Sequence, residues 1–416
     1  MIIARQVADG EGYTLPLLQN KWAYPYILAI GPTLILPVAL SIKLLGFSVA
    51  AARIPMVLYI AATTVVSYLF VQKITDRRTA QWSTALLLSL STFINTGKPV
   101  MGEIPGFFFL LLGLFLLLKK ERSHKRDIVI GLCFGLSVLT KLTFGLIYPA
   151  IGVAWFVAAF RREKTEMLSL TLIGCVAALV FAPWRLLEMT SFTGLSKDFA
   201  FLFSGEEGEG FQLLGGNLNL LLRPQYLYFG VMLLLGTVGL WLKSGKFSRS
   251  VWLIIVTLIA GFTLYFLSSF GWYRHLLPAH LLLIPFATTA VLIALPRSLA
   301  TVLLLFFLCG QGYWQWDHRG SSRSTASAEA AEYVTENMQD ADLIVQIASI
   351  YVRLDRNPHW LFLTNPILTS RLPEELVTFT DELQCHGLIR GKRKRDEDVL
   401  TIGKRYVVIP PPEDCS

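Results

Sequence analysis

Charge is scarce in this 416-residue sequence: Asp, Glu, Lys and Arg make up 16% of it, against about 25% in an ordinary soluble domain. That excludes a chain kept in solution by a charged surface. Cysteine is sparse too. The five cysteines, Cys133, Cys175, Cys309, Cys385 and Cys415, form no C-x-x-C pair, which argues against a zinc knuckle or a dithiol redox motif. No tandem repeat, low-complexity tract or cleavable signal pattern is visible. The net charge of +8 is spread among short loops, so the basic balance points to membrane topology and to no nucleic acid.

What is abundant is hydrocarbon. Hydrophobic residues reach 54%, aromatics 12%, and the mean hydropathy is +0.54. Ten apolar runs follow one another at 54–71, 80–94, 104–118, 128–139, 143–160, 167–184, 226–242, 251–267, 276–295 and 299–314. Several approach the ~20 residues that cross a bilayer. Hydrocarbon leaves the backbone no partner but itself, so such segments must be helical. The sequence predicts a mostly α, polytopic helix bundle of about ten spans. Every second loop is basic: Lys73, Arg77 and Arg78; Lys119 to Arg126; Arg161, Arg162 and Lys164; Lys243, Lys246 and Arg249; Arg297. These loops are assigned to the cytoplasm. The alternate loops, and the tail beyond Trp314, are then extracytoplasmic at an inner (plasma) membrane.

Three regions flank or interrupt the bundle, which gives a division into 1–53, 54–314 and 315–416. Segment 22–47 is apolar but broken by Pro25, Pro32 and Pro37. It reads either as a kinked span or as a pair of short interfacial helices. The polar loop 188–225 carries Glu206, Glu207 and Glu209 among glycines, a pattern of solvated turns. The tail 315–416 shows helical periodicity at 326–338 and strand-like runs at 343–348, 361–363, 399–402 and 406–409, so a small α/β domain is expected. Its Lys392–Arg395 run followed by three acids reads as an exposed turn. Cys385 and Cys415 share this tail and have the opportunity to pair in an oxidising compartment.

Ionisable residues beside this much hydrocarbon are the candidates for chemistry. Glu103 opens the third run within Gly102-Glu103-Ile104-Pro105, where the helix dipole favours an acid. Lys141 ends the fourth run on the outward side, against the positive-inside trend. Tyr273, Arg274 and His275 begin the ninth run, with His280 deeper in it, and an arginine at a helix N-terminus suits phosphate. Lys98 lies in the same outward loop as Glu103. One carboxylate and several cations at one membrane face suggest chemistry on a lipid-linked phosphate.

The same residues carry a family likeness. The stretches Gly31-Pro32 through Pro37, Lys43-Leu44-Leu45-Gly46-Phe47, Ala52-Arg53-Ile54-Pro55, Gly102-Glu103-Ile104-Pro105, Gly135 to Lys141, Ala182-Pro183-Trp184 and Tyr273 to Pro278 resemble the C-type membrane glycosyltransferases. Within that family the likeness is to the protein-mannosyltransferase-like and aminoarabinose-transferase-like enzymes, which use polyprenyl-phosphate sugars. The resemblance implies that 22–47 is interfacial. It places Glu103, the expected catalytic residue, at the family's second acidic position. Lys141 and Arg274 fall where donor-phosphate cations lie, with His275, Tyr273 and Lys98 as further substrate-binding residues. It also implies an outer polar domain.

The resemblance departs at the start. Residues 3–13 look like the helix that follows the family's first acidic motif, so that motif and the helix before it are expected upstream of Met1. Asp9 and Glu11 do not align with it. The expected function is transfer of a sugar from a polyprenyl-phosphate donor to an acceptor hydroxyl on a lipid, glycan or protein. No cofactor is specified, and a divalent cation at Glu103 is left open. The rival readings are a lipid flippase, which needs charges near the bilayer midplane, and a truncated, inactive homologue.

Overall fold

A computed structural model describes residues 1–17, 20–25, 30–119, 123–189, 210–269, 271–317, 325–355, 357–363, 385–392, 400–402 and 405–411. Each apolar run is helical. The N-terminal segment holds α1 (Ile2–Ala8), the antiparallel strands β1 (Thr14–Leu17) and β2 (Asn20–Ala23), and α2 (Pro32–Leu45). The bundle comprises α3 (Val49–Ile74), α4 (Arg77–Ser89), α5 (Ser91–Gly97), α6 (Glu103–Leu117), α7 (His124–Thr140), a 3-10 turn (Leu142–Leu146) and α8 (Ile147–Phe160). It continues through α9 (Lys164–Met189), α10 (Gly210–Leu221), α11 (Pro224–Leu242), α12 (Arg249–Ser268), α13 (Tyr273–Ala294) and α14 (Arg297–Asp317).

Six of these helices, α3, the Leu142–Phe160 unit, α9, α12, α13 and α14, are long and apolar enough to cross a membrane by length and composition. The expected ten spans are therefore not ten full-length ones. Helix α6 has 15 residues and reaches only about 22 Å at 1.5 Å per residue, short of a ~30 Å hydrocarbon core. The run 80–94 is split, because Leu90 is extended (φ −67°, ψ 107°) and caps α4 before α5 begins. Two of the expected boundaries also shift: α3 begins at Val49, before residue 54, and α14 continues to Asp317.

Helix α13 is the axis of the bundle. From His275 to Val291 every residue is buried, as befits a helix apolar on all sides. The outer helices expose apolar side chains such as Phe160, Trp241 and Phe306, a surface suited to lipid.

The segment 1–53 differs from a pair of interfacial helices by including the β1–β2 sheet. Leu15 and Trp22 of that sheet, a directly opposed cross-strand pair, join Ile3, Leu34, Val38 and Ile42 in a second core, so one face of the hairpin packs with α1 and α2. The C-terminal domain reaches into this core with Phe362. Arg5 donates to the carbonyls of Val352 (3.0 Å) and Leu354 (2.7 Å) from below.

That domain packs α15 (Ala326–Asn337) and α16 (Ala348–Tyr351) on a five-stranded sheet of order β4-β3-β5-β7-β6. The strands are β3 (Leu343–Val345), β4 (Trp360–Phe362), β5 (Gly387–Gly391), β6 (Thr401–Ile402) and β7 (Tyr406–Ile409). Strand β3 is parallel to β4 and β5, while β7 runs antiparallel to β5 and β6. Cys385 is disulfide-bonded, and Cys133, Cys175 and Cys309 are free. Cys415, the Glu206–Glu209 cluster and residues 393–398 lie outside the described residues.

Candidate functional site

Three helix ends meet at one end of the bundle. Helix α6 starts at Glu103, α7 ends at Thr140 with Lys141 as its C-cap, and α13 starts at Tyr273. Placing charges at helix ends keeps them out of the mid-bundle hydrocarbon. The acid at the first position of α6 lies in the favourable field of that helix.

The Glu103 side chain is 3% exposed and its Oε1 is paired with Lys141 Nζ. Arg274 Nε lies 3.8 Å from the same oxygen. Two cations against one carboxylate leave a single net positive charge at this corner. The second oxygen of Glu103, Oε2, is buried and without a hydrogen-bond partner among the described residues, as is Arg274 Nε. Leaving such groups unsatisfied costs about 1–3 kcal/mol each, more when charged. A buried corner of this kind is suited to a bound anion and a hydroxyl donor.

Close backbone approach makes the corner. A Cβ on Gly102 would come within 2.9 Å of the Lys141 Cβ and 3.1 Å of the Thr140 oxygen, so only glycine lets α6 start this near to α7. The N-terminal segment closes the corner from the other side. Ile30 forms an antiparallel bridge with Lys141, Gly31 N–H donates to Thr140 O (3.1 Å), and the Thr33 and Thr140 hydroxyls are 2.8 Å apart. A Cβ on Gly31 would collide with the Leu139 carbonyl, whose carbon it would approach to 3.0 Å.

The other candidates are arranged as follows. The Arg274 guanidinium stacks over Trp272, 4.1 Å from the ring centroid, and His275 packs against the same indole at 5.6 Å. Ser269 Oγ and His275 Nδ1 share a 2.8 Å hydrogen bond. The Tyr273 hydroxyl turns inward to His280 Nδ1. The Lys98 ammonium, at the C-cap of α5, bonds Asn95 Oδ1 one turn back in that helix at 3.4 Å. Asp9 pairs with Arg5 (3.8 Å) and Glu11 with Lys21.

Asn217 was not among the sequence-derived candidates. It projects from α10 and donates to Leu267 O (3.0 Å) and Ser269 O (2.6 Å), gripping the turn that launches Trp272, Arg274 and His275. The loop 188–225 thus contains a helix with a structural task. An asparagine between Gly216 and Leu218 in an apolar stretch was the available signal, but only the fold reveals its partner.

The described residues of this corner do not by themselves make up a divalent-cation site. Among the described residues no three of His, Cys, Asp and Glu cluster in a metal-binding arrangement. Glu103 is also flanked by two cations that repel a metal ion.

Residues 31–186 match the family model described as dolichyl-phosphate-mannose-protein mannosyltransferase. An uncharacterized protein of Aquifex aeolicus (strain VF5) is 29% identical over 151 residues, covering 35% of this chain and 30% of that protein. The chain thus spans less than a third of that relative. Among solved structures, ArnT from Cupriavidus metallidurans bound to undecaprenyl phosphate superposes with a TM-score of 0.68 at 13% identity, covering 100% of this chain and 93% of that one. The oligosaccharyltransferase AglB from Archaeoglobus fulgidus, in complex with an inhibitory peptide and a dolichol-phosphate, gives 0.57 at 11% identity over 94% and 64%. This multi-pass membrane protein shares its fold with those two solved proteins.

Proposed function

We propose that this chain, having the fold of a C-type membrane glycosyltransferase, moves a sugar from a polyprenyl-phosphate donor to an acceptor hydroxyl at the extracytoplasmic face of the plasma membrane. The observation that carries the reading is the buried Glu103 carboxylate bracketed by Lys141 and Arg274 at one end of the bundle. The likeness to proteins solved with undecaprenyl phosphate or a dolichol-phosphate supports it. The disulfide-bonded Cys385 supports an extracytoplasmic C-terminal domain.

In this reading the lipid tail lies against the exposed apolar helix faces, and the phosphate sits between Lys141 and Arg274. The acceptor oxygen attacks the anomeric carbon and loses its proton to a carboxylate, while the bond from that carbon to the phosphate oxygen breaks. The two cations stabilise the charge that gathers on the leaving phosphate. One Glu103 oxygen is fixed by Lys141, and the other accepts a hydrogen bond from a sugar or acceptor hydroxyl. Tyr273, through His280, fixes the start of α13 and so the direction of Arg274. The flippase reading needs charges at mid-membrane, and the helix-end positions of Glu103, Lys141 and Arg274 do not favour it.

The test is transfer from a labelled polyprenyl-phosphate sugar to membrane acceptors. Arg274→Ala is expected to lower the rate on the order of a hundredfold. Undiminished turnover would remove Arg274 from the site, and no transfer by the wild-type chain from any polyprenyl-phosphate sugar would remove the reading.

A further inference from the structure

A second buried polar cluster lies on the other side of the Ile30–Lys141 bridge and takes no part in the chemistry above. Glu188, near the end of α9, accepts from Trp184 Nε1 and from Arg185 at 2.8 Å each, one bond to each oxygen. Both Glu188 (8% exposed) and Arg185 (7% exposed) are buried. With its N–H anchored, the Trp184 indole stands edge-on to Tyr13 at 4.6 Å and to Tyr24 at 5.6 Å. The Tyr13 hydroxyl, so held, donates to Ile30 O at 2.8 Å. Ile30 is the residue bridged to Lys141.

Lys141 needs this support. It is extended (φ −155°, ψ 126°) between the end of α7 and the following 3-10 turn; its N–H bonds Ser137 O (3.2 Å) and its carbonyl accepts from Phe144 N–H (3.0 Å), and the Ile30 bridge holds the extended residue from the side. Its side chain must nonetheless be delivered to Glu103 in a buried corner. A flexible four-carbon stem makes a better electrostatic anchor when the extended backbone that carries it is also held laterally.

We propose that Tyr13 is a positioning residue for Lys141, acting through Ile30 and held in place by the Glu188–Trp184 pair. The first outer segment then serves the site as well as covering it. The proposal rests on the reading of Lys141 as a phosphate-binding cation, and its test separates the two.

The test uses the full chain in nanodiscs, with Tyr13→Phe, which removes one hydroxyl and keeps the ring, and Trp184→Phe, which removes the indole donor to Glu188. Amide hydrogen exchange is followed in peptides covering 30–33 and 137–144. Undecaprenyl phosphate binding is measured in the wild-type and Lys141→Ala backgrounds. The expected result is about fivefold faster exchange at the Gly31 amide and the 137–144 corner, as for loss of one neutral hydrogen bond. An undecaprenyl phosphate Kd raised about fivefold in the wild-type background, and by less than twofold once Lys141 is gone, is expected alongside it. Non-additivity of this kind marks residues that act as a unit, and a merely structural Tyr13 would weaken binding equally in both backgrounds. Unchanged exchange at the corner, or the same factor in both backgrounds, overturns the proposal. Failure of the wild-type chain to bind undecaprenyl phosphate overturns the reading of the site instead, and the exchange result then decides the positioning role alone.

Discussion

Replacing Glu103 separates what this residue does for stability from what it does for chemistry. Its side chain is 3% exposed and that of its partner Lys141 is 10% exposed, so the pair is shielded from solvent screening. Removing the carboxylate charge with Glu103→Gln leaves Lys141 and Arg274 facing each other without a counter-ion. Breaking a buried pair in this way costs about 3–5 kcal/mol. Lys141→Met breaks the same buried pair and leaves the carboxylate with only the more distant Arg274, 3.8 Å away, so it is destabilising too. Replacing both partners by neutral groups of similar volume is often near neutral, so Glu103→Gln with Lys141→Met should regain most of the lost stability. Thermal unfolding of the purified chain, with transfer assayed in parallel, reads both quantities. Each single variant should be clearly less stable, the double variant close to wild type, and all three at least a hundredfold slower. A double variant that recovers activity together with stability would show that the pair only supports the fold, and would refute its place in the chemistry.

Further outcomes follow from the supporting geometry. Gly31→Ala forces the segment off Leu139 and breaks the Gly31–Thr140 bond; it should cost about 1–3 kcal/mol by overpacking and, by shifting Lys141, about a hundredfold in rate, read by unfolding and transfer assays. Asn217→Ala removes the grip on the α12–α13 turn and should lower donor affinity more than it lowers stability, as measured by KM against Tm. Partial burial pushes the Asp76 carboxyl up, but the Thr79 N–H and Oγ1 bonds (2.9 Å each) and nearby Lys243 hold it below its ordinary value of 3.8. Because the folded pKa is lowered, the cap is fully stabilising above about pH 3.8 and fades as pH falls through the folded value. The Asp76→Ala deficit, about 1 kcal/mol, should therefore be present at pH 7 and shrink below pH 3.8 in acid unfolding.

Much of this architecture can be read along the chain because lipid enforces local rules. Each apolar run is helical, since hydrocarbon leaves the backbone no other partner. Glu103, Lys141 and Arg274 are conspicuous as charges at run ends, and the fold brings those ends together. What escapes a linear reading depends on pairing at long range. Strands β1 and β2 lie mostly before the proline-broken stretch 22–47 and give no alternating pattern long enough to read, yet they form because Leu15 and Trp22 complete a core with α1 and α2. Strand β5, with only Leu388 and Ile389 as its apolar pair, is too short to register as a strand. It is fixed by parallel pairing to β3 and antiparallel pairing to β7. The run 343–348 looks like one strand, but it ends at Val345 and passes into α16 from Ala348. The Ile30–Lys141 bridge joins residues more than a hundred positions apart, and no local pattern announces it. Asn217 likewise acquires its meaning only from the carbonyls of a turn some fifty residues later.

The central claim, that Lys141 and Arg274 beside Glu103 receive the phosphate of a polyprenyl-phosphate sugar, is tested most directly by a structure of the chain with undecaprenyl phosphate. The account predicts phosphate density within hydrogen-bonding reach of Lys141 Nζ and the Arg274 guanidinium, with the lipid tail running down the apolar face of the bundle. A phosphate bound at the opposite end of the helices, or at the level of mid-bundle away from both cations, would contradict it.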